Sequence, residues 1–208
     1  MSKVTIVDYG LGNLRSINKK LHKFNIKSDI SDCLNDIKDA DILILPGVGN
    51  FKKAMKNIKS FGIYDILNEK VRDQKTPILG ICLGMQLFTN YSDEGNCKGF
   101  GWVDADTKIF NKDKIKQKVP HIGWGKINIL KNKFIFDKIN TDHNYYFVHS
   151  YYVDCLESTD ILCTTKYGNF EFVSGFVKEN IFGLQFHPEK SHRIGMEIFK
   201  NFINHFAK

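Results

Sequence analysis

The chain has 208 residues, 42% of them hydrophobic and 25% charged, and a formal net charge of +7. This composition is typical of a soluble globular protein and excludes a disordered chain, and no apolar run is long enough to cross a membrane. The positive charge comes from lysines spread along the chain, with arginine only at Arg15, Arg72 and Arg193, so we expect no nucleic-acid site.

The first half of the chain alternates between predicted strands and helices. Helical spacing relates Leu14, Ile17, Leu21 and Phe24, and a break near Gly62 divides the helical stretch 51–74 into two. Strands are predicted at 3–8, 26–30, 41–47 and 77–81, with a further short helix at 33–38. Since the strands lack a polar face, they predict a parallel sheet covered by helices on both sides.

The second half is richer in strands and closes with a helix at 191–206. We expect strands at 102–110, 124–130, 144–149, 151–155, 161–166, 170–178 and 181–186. The lysine-rich run 108–118 is expected to be an exposed hairpin or loop. With neither repeats nor linkers, the pattern predicts a single α/β domain over residues 1–208 with a more antiparallel second half.

The five cysteines argue against a disulfide framework. Their number is odd, their spacings are wide, and no CxxC pair occurs among Cys33, Cys82, Cys97, Cys155 and Cys163. The N-terminus reads as a strand and lacks a signal peptide's apolar core. We therefore expect a cytoplasmic protein, with no metal and no organic cofactor because no ligand cluster appears.

The stretch ILGICLGMQLF, residues 78–88, places Cys82 between Gly80 and Gly84 where a strand gives way to a helix. This strand–turn–helix arrangement is typical of a nucleophile elbow, in which a tight turn presents the nucleophile above the sheet. The helix N-terminus favours a thiolate, and the Leu83 N–H could hold an oxyanion. The alternative is a buried cysteine acting as a small hydrophobe.

A general base is predicted in GLQFHPEKS, residues 183–191. If the backbone is extended there, His187 and Glu189 point to the same side, so Glu189 can orient His187 while the other ring nitrogen takes the thiol proton. Taken alone, this pattern more often indicates a surface histidine beside a carboxylate than a catalytic base.

A glycine loop follows the strand in ILPGVGNF, residues 44–51. Beside Cys82 it would supply a second oxyanion donor from Val48 or Gly49; the alternatives are a phosphate cradle or a plain turn. The absence of GKS/T excludes a Walker loop, and DYGLGNL at 8–14 fails the GxGxxG spacing.

Together, PGVG, GICLGMQ and FHPEKS in this order resemble the class I (triad-type) glutamine amidotransferases. The motifs VDYGLGNLRS, PHIGWG and YYFVHSYY are similar to those of the glutaminase subunit of imidazole glycerol phosphate synthase. The resemblance runs from residue 4 to about 204 and implies a flavodoxin-like, mostly parallel sheet flanked by helices, with an added antiparallel region.

The resemblance implies that L-glutamine is hydrolysed to glutamate and ammonia by Cys82, His187 and Glu189. The substrate-binding positions it implies are Gly49, Gln86, His149, Ser150 and Tyr151. Gln86 also follows Cys82 by one helical turn, so it can face the same pocket. A catalytically silent module and a hydrolase of similar fold are less consistent with these residues.

The resemblance further implies a heterodimer with a (β/α)8-barrel cyclase subunit. That partner uses the ammonia to form imidazole glycerol phosphate and AICAR in histidine biosynthesis. The interface positions would be Asn13, Trp124, Tyr146 and Lys190, although Asn13 could simply cap a helix and the two aromatic residues could be core.

The chain departs from the family pattern at Gly125, where asparagine usually follows Gly-Trp. This position lies near the expected partner contact. The departure keeps open a paralogous role, in which the ammonia goes to a surface-sugar amidotransferase.

Overall fold

The computed structural model describes residues 2–131, 133–139 and 142–207, so the predicted domain limits at residues 1 and 208 lie outside it. The strands are β1 Val4–Val7, β2 Asp29–Ser31, β3 Ile42–Gly47, β4 Ile78–Cys82, β5 Tyr91–Ser92, β6 Cys97–Lys98, β7 Ala105–Ile109, β8 His121–Lys126, β9 Asn128–Ile129, β10 Asn144–His149, β11 Tyr151–Cys155, β12 Ile161–Tyr167, β13 Phe170–Lys178 and β14 Ile181–Leu184. The helices are α1 Leu14–Lys23, α2 Leu34–Lys38, α3 Phe51–Ser60, α4 Ile63–Asn68, α5 Leu83–Leu87, α6 Lys112–Ile115 and α7 His192–Phe206, and a π-helical turn, Glu69–Asp73, follows α4.

Five parallel strands form one half of the main sheet. They lie in the order β2, β1, β3, β4, β14, which is the doubly wound order in which ligands bind at the carboxyl ends of the strands. The parallel sheet with flanking helices confirms the fold class predicted from the sequence.

The parallel strands are buried on both faces because helices cover each side. Ile42 and Ile44 of β3 pack into the cluster that contains α1 and α7, whereas Leu43 and Leu45 pack into the cluster that contains α3, α4 and α5. Alternate residues of a strand point to opposite faces, so a strand lying between two helical layers is apolar throughout.

The second half of the chain continues the sheet with antiparallel strands. After β14 come β13, β11 and β7, with β12 paired to β13 and β9, and with β5 and β6 at the edge. β8 and β10 form a separate two-stranded antiparallel sheet, here called the ribbon. The predicted antiparallel character of this half is thereby confirmed.

The lysine-rich run 108–118 differs from its prediction. Residues Lys112–Ile115 form the helix α6, capped by the Asn111 side-chain oxygen, which accepts from the Asp113 and Lys114 backbone N–H groups at 3.0 and 3.2 Å. The Ile115 side chain is buried, and this single apolar residue anchors the helix. The lysines at 112, 114, 116 and 118 are exposed as predicted. The prediction of a hairpin or loop was wrong at 112–115 because it overlooked the cap and the anchor.

Candidate active site

Cys82 ends β4 and immediately precedes α5. Its backbone has φ 54° and ψ −108°, a conformation rarely adopted by residues that carry a side chain. Tight packing holds it there: a Cβ on Gly84 would lie 1.8 Å from the Leu45 carbonyl oxygen, and one on Gly80 would lie 2.5 Å from the Phe88 ring. The two glycines therefore permit an approach between α5 and the sheet that any side chain would prevent.

The strands beside β4 bring residues from distant parts of the chain to Cys82. On one side Gly47 of β3 is its register partner. On the other side Leu184 of β14 pairs with Ile81, so the next residue, Gln185, lies beside Cys82. The carboxyl ends of parallel strands meet at one edge, and that edge is where the candidate site lies.

His187 and Glu189 form a buried pair just after β14. The His187 Nδ1 and Glu189 Oε1 atoms are 2.7 Å apart, and the two side chains are each 2% exposed. The pair does not lie in extended backbone as the sequence argument assumed, because Pro188–Lys190 is a 3-10 turn. The expected contact is present, but a turn brings it about.

Cys82, His187 and Glu189 are electrostatically coupled. Burial disfavours the imidazolium, but the interactions of His187 with Cys82 and then with Glu189 outweigh it and raise the pKa of His187. Among the described residues, His187 Nε2 has no hydrogen-bond partner, while the Cys82 thiol donates to the Val148 carbonyl oxygen at 3.8 Å. The ring nitrogen of His187 that does not contact Glu189 is thus free to bind a proton or a ligand.

A cavity of about 260 Å³ opens at the Cys82 elbow. It is lined by Val48, Gly49, Cys82, Leu83, Gln86, Glu94, Pro120, Val148, His149, Ser150 and Tyr151. All residues predicted as oxyanion donors or substrate contacts therefore lie around one cavity. Glu94, Pro120 and Val148 also line the cavity and were not predicted. No motif contains Glu94, whereas Pro120 and Val148 belong to the motifs PHIGWG and YYFVHSYY but were given no role there.

Two backbone segments border the cavity beside Cys82. Leu83 is the first residue of α5, and the first N–H groups of a helix have no acceptor within it. The glycine loop is the second segment, with Gly49 at φ 131° and Val48 44% exposed. This arrangement can present two donors to a charge that develops near the Cys82 sulfur.

A chain of buried amides runs behind the cavity. Gln86 Nε2 donates to the Tyr151 carbonyl oxygen at 3.1 Å and to Gln185 Oε1 at 3.0 Å. Gln185 Nε2 in turn lies 3.7 Å from the Cys82 sulfur. The sequence argument placed Gln185 inside a buried strand and gave it no role, although a glutamine among apolar strand residues was a signal.

His121 and His149 form a buried pair beside this chain. His149 Nδ1 donates to the Tyr151 carbonyl oxygen at 2.7 Å, which leaves Nε2 to accept from His121 Nδ1 at 3.1 Å. Burial lowers the pKa of His121 to about 4 and the pKa of His149 to about 3. Both rings are therefore neutral, which fits a role in holding the Tyr151 backbone in place.

Two of the four predicted interface residues, Trp124 and Tyr146, lie on the ribbon, and Lys190 lies on the turn Pro188–Lys190. Trp124 is 48% exposed and stacks on His192 with ring centroids 4.9 Å apart. The ring of Tyr146, opposite Trp124 in the ribbon, has Lys190 Nζ 5.3 Å above it. The residues Trp124, Tyr146 and Lys190, here called the partner face, form one surface, and Trp124 is not a core residue.

Asn13 precedes α1, and Gly125 is part of strand β8 of the ribbon. Asn13 is exposed at the start of α1, where its side chain makes no capping hydrogen bond, so the simple capping explanation fails. A Cβ on Gly125 would lie 3.2 Å from the Phe147 ring and 3.5 Å from the Thr165 methyl carbon. The glycine thus packs closely on the inner side of the ribbon.

Residues 5–206 match the family model described as glutamine amidotransferase class-I, and this match defines the class of protein to which the fold belongs. The chain is 48% identical over 201 residues to imidazole glycerol phosphate synthase subunit HisH 2 of Methanococcus maripaludis, covering 96% of this chain and 98% of that protein. The chain therefore belongs to the class I glutamine amidotransferases and, within them, to the HisH family, which confirms the resemblance found in the sequence.

Other relatives carry similar names. The chain is 40% identical to subunit HisH 2 of Pseudomonas aeruginosa and 42% identical to subunit HisH 1 of Campylobacter jejuni, each over 96% of this chain and 98% of the relative. Among solved structures, one described as a glutamine amidotransferase has a TM-score of 0.76 at 14% identity, covering 98% of this chain and 99% of that one. At so low an identity this likeness shows the fold alone.

The described residues contain neither a candidate membrane span nor a candidate metal site. No helix there is both long and apolar enough to span a bilayer. No group of three or more His, Cys, Asp or Glu side chains there is arranged to hold a metal ion.

The buried histidine pair predicts how stability depends on pH. Both pKa values are lowered on folding, so the stability that the neutral rings contribute is complete above about pH 6.5, the usual unfolded value. It is lost as the pH falls from there through the folded values, at about 1.4 kcal/mol per pH unit for each histidine. In NMR titrations of the histidine ring carbons we expect His121 and His149 to stay neutral down to pH 5.

A matched pair of variants isolates this effect. His121→Phe, which keeps an aromatic ring beside Phe147 and Tyr167, should flatten the fall in urea unfolding free energy between pH 7 and pH 5. The same change at the exposed His143 should leave that slope as it is. Ring carbons of His121 and His149 that titrate near pH 6.5 in the folded protein would contradict the assignment.

Proposed function

We propose that the chain is a glutaminase subunit that hydrolyses L-glutamine and passes ammonia to a synthase partner. One observation carries this proposal: the Cys82 thiol, which lines the cavity, is electrostatically coupled to His187, whose Nδ1 lies 2.7 Å from Glu189 Oε1. Gly49 and Gln86 line the same cavity. The acceptor reaction is the formation of imidazole glycerol phosphate and AICAR in histidine biosynthesis, as the names of the HisH relatives suggest. All five cysteines are free thiols, consistent with a reducing cytoplasm as the compartment.

In the first half of the reaction, His187 takes the thiol proton and the Cys82 sulfur attacks the side-chain amide carbon of glutamine. The oxyanion is held by the Leu83 N–H and by an N–H of Val48 or Gly49. His187 then gives the proton to the leaving nitrogen, ammonia departs, and a γ-glutamyl thioester remains.

In the second half, a water molecule loses a proton to His187 and attacks the thioester carbonyl carbon. The carbon–sulfur bond breaks, glutamate leaves, and His187 returns the proton to the sulfur. Glu189 keeps Nδ1 of His187 protonated and leaves Nε2 for these transfers, and its charge stabilises the imidazolium that both steps require.

Glu94 is proposed to hold the α-ammonium group of glutamine. It is the single carboxylate among the residues that line the cavity. Its Oε2 accepts from the Phe51 backbone N–H at 2.7 Å, which fixes the carboxylate and leaves Oε1 for a ligand. Gln86 and the backbone from His149 to Tyr151 line the same cavity and are proposed to orient the rest of the substrate.

The partner face is proposed to receive a (β/α)8-barrel cyclase subunit, with Asn13 at its margin. Exposed aromatic residues with a cation over one ring are typical of interface hot spots. The face is also close to the chemistry, because the Tyr146 carbonyl oxygen accepts from the His187 backbone N–H at 2.8 Å. Ammonia released at Cys82 therefore has a short route to a partner docked there.

Replacing the nucleophile tests the reaction. We expect Cys82→Ala to lower glutamine hydrolysis by about a thousandfold or more, because removing a triad nucleophile removes the covalent pathway. Ammonia release would be measured with the partner subunit present. Cys33→Ala, at an exposed cysteine, is the matched control and should retain full activity. Both variants should show a cooperative unfolding transition in urea, which verifies that they are folded. Near-normal ammonia release from Cys82→Ala would exclude the mechanism.

Truncating the aromatic anchor tests the partner face. We expect Trp124→Ala to weaken binding of the cyclase subunit about 30-fold, a typical hot-spot loss of about 2 kcal/mol. The control residue is Leu156, which directly follows β11 and is 68% exposed. The Leu156→Ala variant should bind the cyclase subunit normally in the same calorimetric titration. Equal affinity of the two variants would place the interface elsewhere.

A paralogous glutaminase that feeds a sugar amidotransferase is the second candidate. Two observations support this candidate. Gly125 departs from the family pattern, and the relatives named above are numbered HisH 1 or HisH 2, which is the numbering used for paralogous subunits. Both candidates share the site and differ in the acceptor of ammonia.

Complementation decides between the two acceptors. Expressed with its own cyclase subunit, the chain should restore growth without histidine to a bacterial strain that lacks its HisH gene, because ammonia then reaches the imidazole-forming reaction. The Cys82→Ala chain is the negative control. Failure to restore growth by a chain that still releases ammonia from glutamine in vitro would favour the sugar pathway.

A further inference from the structure

Gln185 is a buried amide that the mechanism above does not use. Its side chain is fully buried, and its backbone N–H donates to the Ser174 carbonyl oxygen at 3.0 Å. The register of β14 against β4 places it next to Cys82. A buried polar side chain must find partners, and both ends of this one do.

The orientation of the Gln185 amide follows from its neighbours. The Tyr151 carbonyl oxygen can only accept, so the atom of Gln86 that lies 3.1 Å from it is the nitrogen. The same nitrogen donates to Gln185 at 3.0 Å, so that contact is with the Gln185 oxygen. The Gln185 nitrogen therefore points to the Cys82 sulfur, 3.7 Å away.

Besides its interaction with His187, the Cys82 sulfur contacts two polar groups that prefer opposite protonation states. The Val148 carbonyl oxygen, 3.8 Å away, can only accept and so favours the protonated thiol. The Gln185 N–H can only donate and so favours the thiolate. Hydrogen bonds to a charged partner are stronger than those to a neutral one, so the Gln185 contact strengthens when the proton leaves.

We propose that Gln185 stabilises the Cys82 thiolate during glutamine hydrolysis, by donating its side-chain N–H to the sulfur once the proton has passed to His187. Gln86, held by the Tyr151 backbone, keeps the donor in position. The contribution to glutamine hydrolysis depends on the proposed function, whereas the contact with the sulfur does not.

Two titratable side chains act electrostatically on the same sulfur. His187 follows β14, and Tyr9, which follows β1, is buried with its pKa raised by burial and by Cys82. Glu189 lies behind His187, while His149, as a neutral ring, and the carboxylate Glu94 line the cavity. Gln185→Met leaves all five of these side chains in place, so a change in thiol reactivity in that variant is attributable to the lost donor.

Two substitutions at Gln185 remove the donor in different ways. Gln185→Met keeps a similar volume without a polar group. Gln185→Glu keeps an oxygen for Gln86 but puts a carboxylate beside the sulfur. Ser174→Ala is the matched control. It removes a buried hydroxyl group that forms hydrogen bonds with Thr165 and Cys163 and has no contact with Cys82.

The readout is the rate of iodoacetamide alkylation of the Cys82 peptide against pH, followed by mass spectrometry in the complete chain. We expect the midpoint of this profile to move up by about one to two pH units in Gln185→Met, and further in Gln185→Glu. Ser174→Ala should keep the wild-type midpoint. Folded Gln185 variants with the wild-type midpoint would overturn the proposal.

Glutamine hydrolysis provides the second readout. At neutral pH we expect a fall of about 10- to 100-fold in Gln185→Met, with recovery as the pH rises toward the new midpoint. A loss that is the same at every pH would indicate a purely structural role and would count against the proposal. A wild-type chain that does not hydrolyse glutamine even with its partner would refute the proposed function while leaving the alkylation result interpretable.

A measurement on the wild-type chain covers the case in which the variants do not fold. The side-chain ¹⁵N–H resonances of Gln185 should shift with pH at the alkylation midpoint, and Cys82→Ala should abolish that shift. Resonances that are independent of pH in the wild-type chain would also overturn the proposal.

Discussion

The contact between Gly84 and the Leu45 carbonyl oxygen is the constraint on which the site depends. Because no side chain fits there, α5 packs directly against β3, and the residue that joins β4 to α5 must bend sharply. That residue is Cys82, whose φ of 54° is the consequence. The thiol therefore stands at the edge of the sheet, the α5 N–H groups face it, and Gln86 one turn later lines the same cavity.

The second constraint is the position of β14 in the sheet. A strand more than a hundred residues further along the chain lies parallel to β4, with Leu184 opposite Ile81. The residues that follow it, Gln185 and His187, are thereby brought to the cysteine. The ribbon closes the site from the other side, because its Val148 carbonyl oxygen contacts the sulfur while Trp124 faces outward. One short sheet thus joins the chemistry to the surface on which a partner is proposed to dock.

Local patterns in the sequence predicted the parallel half of the fold and the residues around the cavity. Apolar strands, helical spacing and the order of the three motifs are local or nearly local signals, and they located Cys82, Gln86 and Gly49 well. The contacts that escaped prediction depend on tertiary register. The side chain of Glu94 is held at the cavity by a hydrogen bond from the Phe51 backbone N–H. Gln185 lies beside Cys82 only because strand β14 pairs with β4. The short helix α6 escaped because one buried isoleucine outweighs several lysines.

The strained backbone at Cys82 has a consequence for stability. A residue with a side chain at such a φ and ψ costs about 1–3 kcal/mol relative to an unstrained position, and glycine would relieve much of that cost. Replacing Cys82 by glycine would therefore stabilise the fold while removing the thiol. Stability and the presence of a reactive group make opposite demands on this one position of the sheet edge.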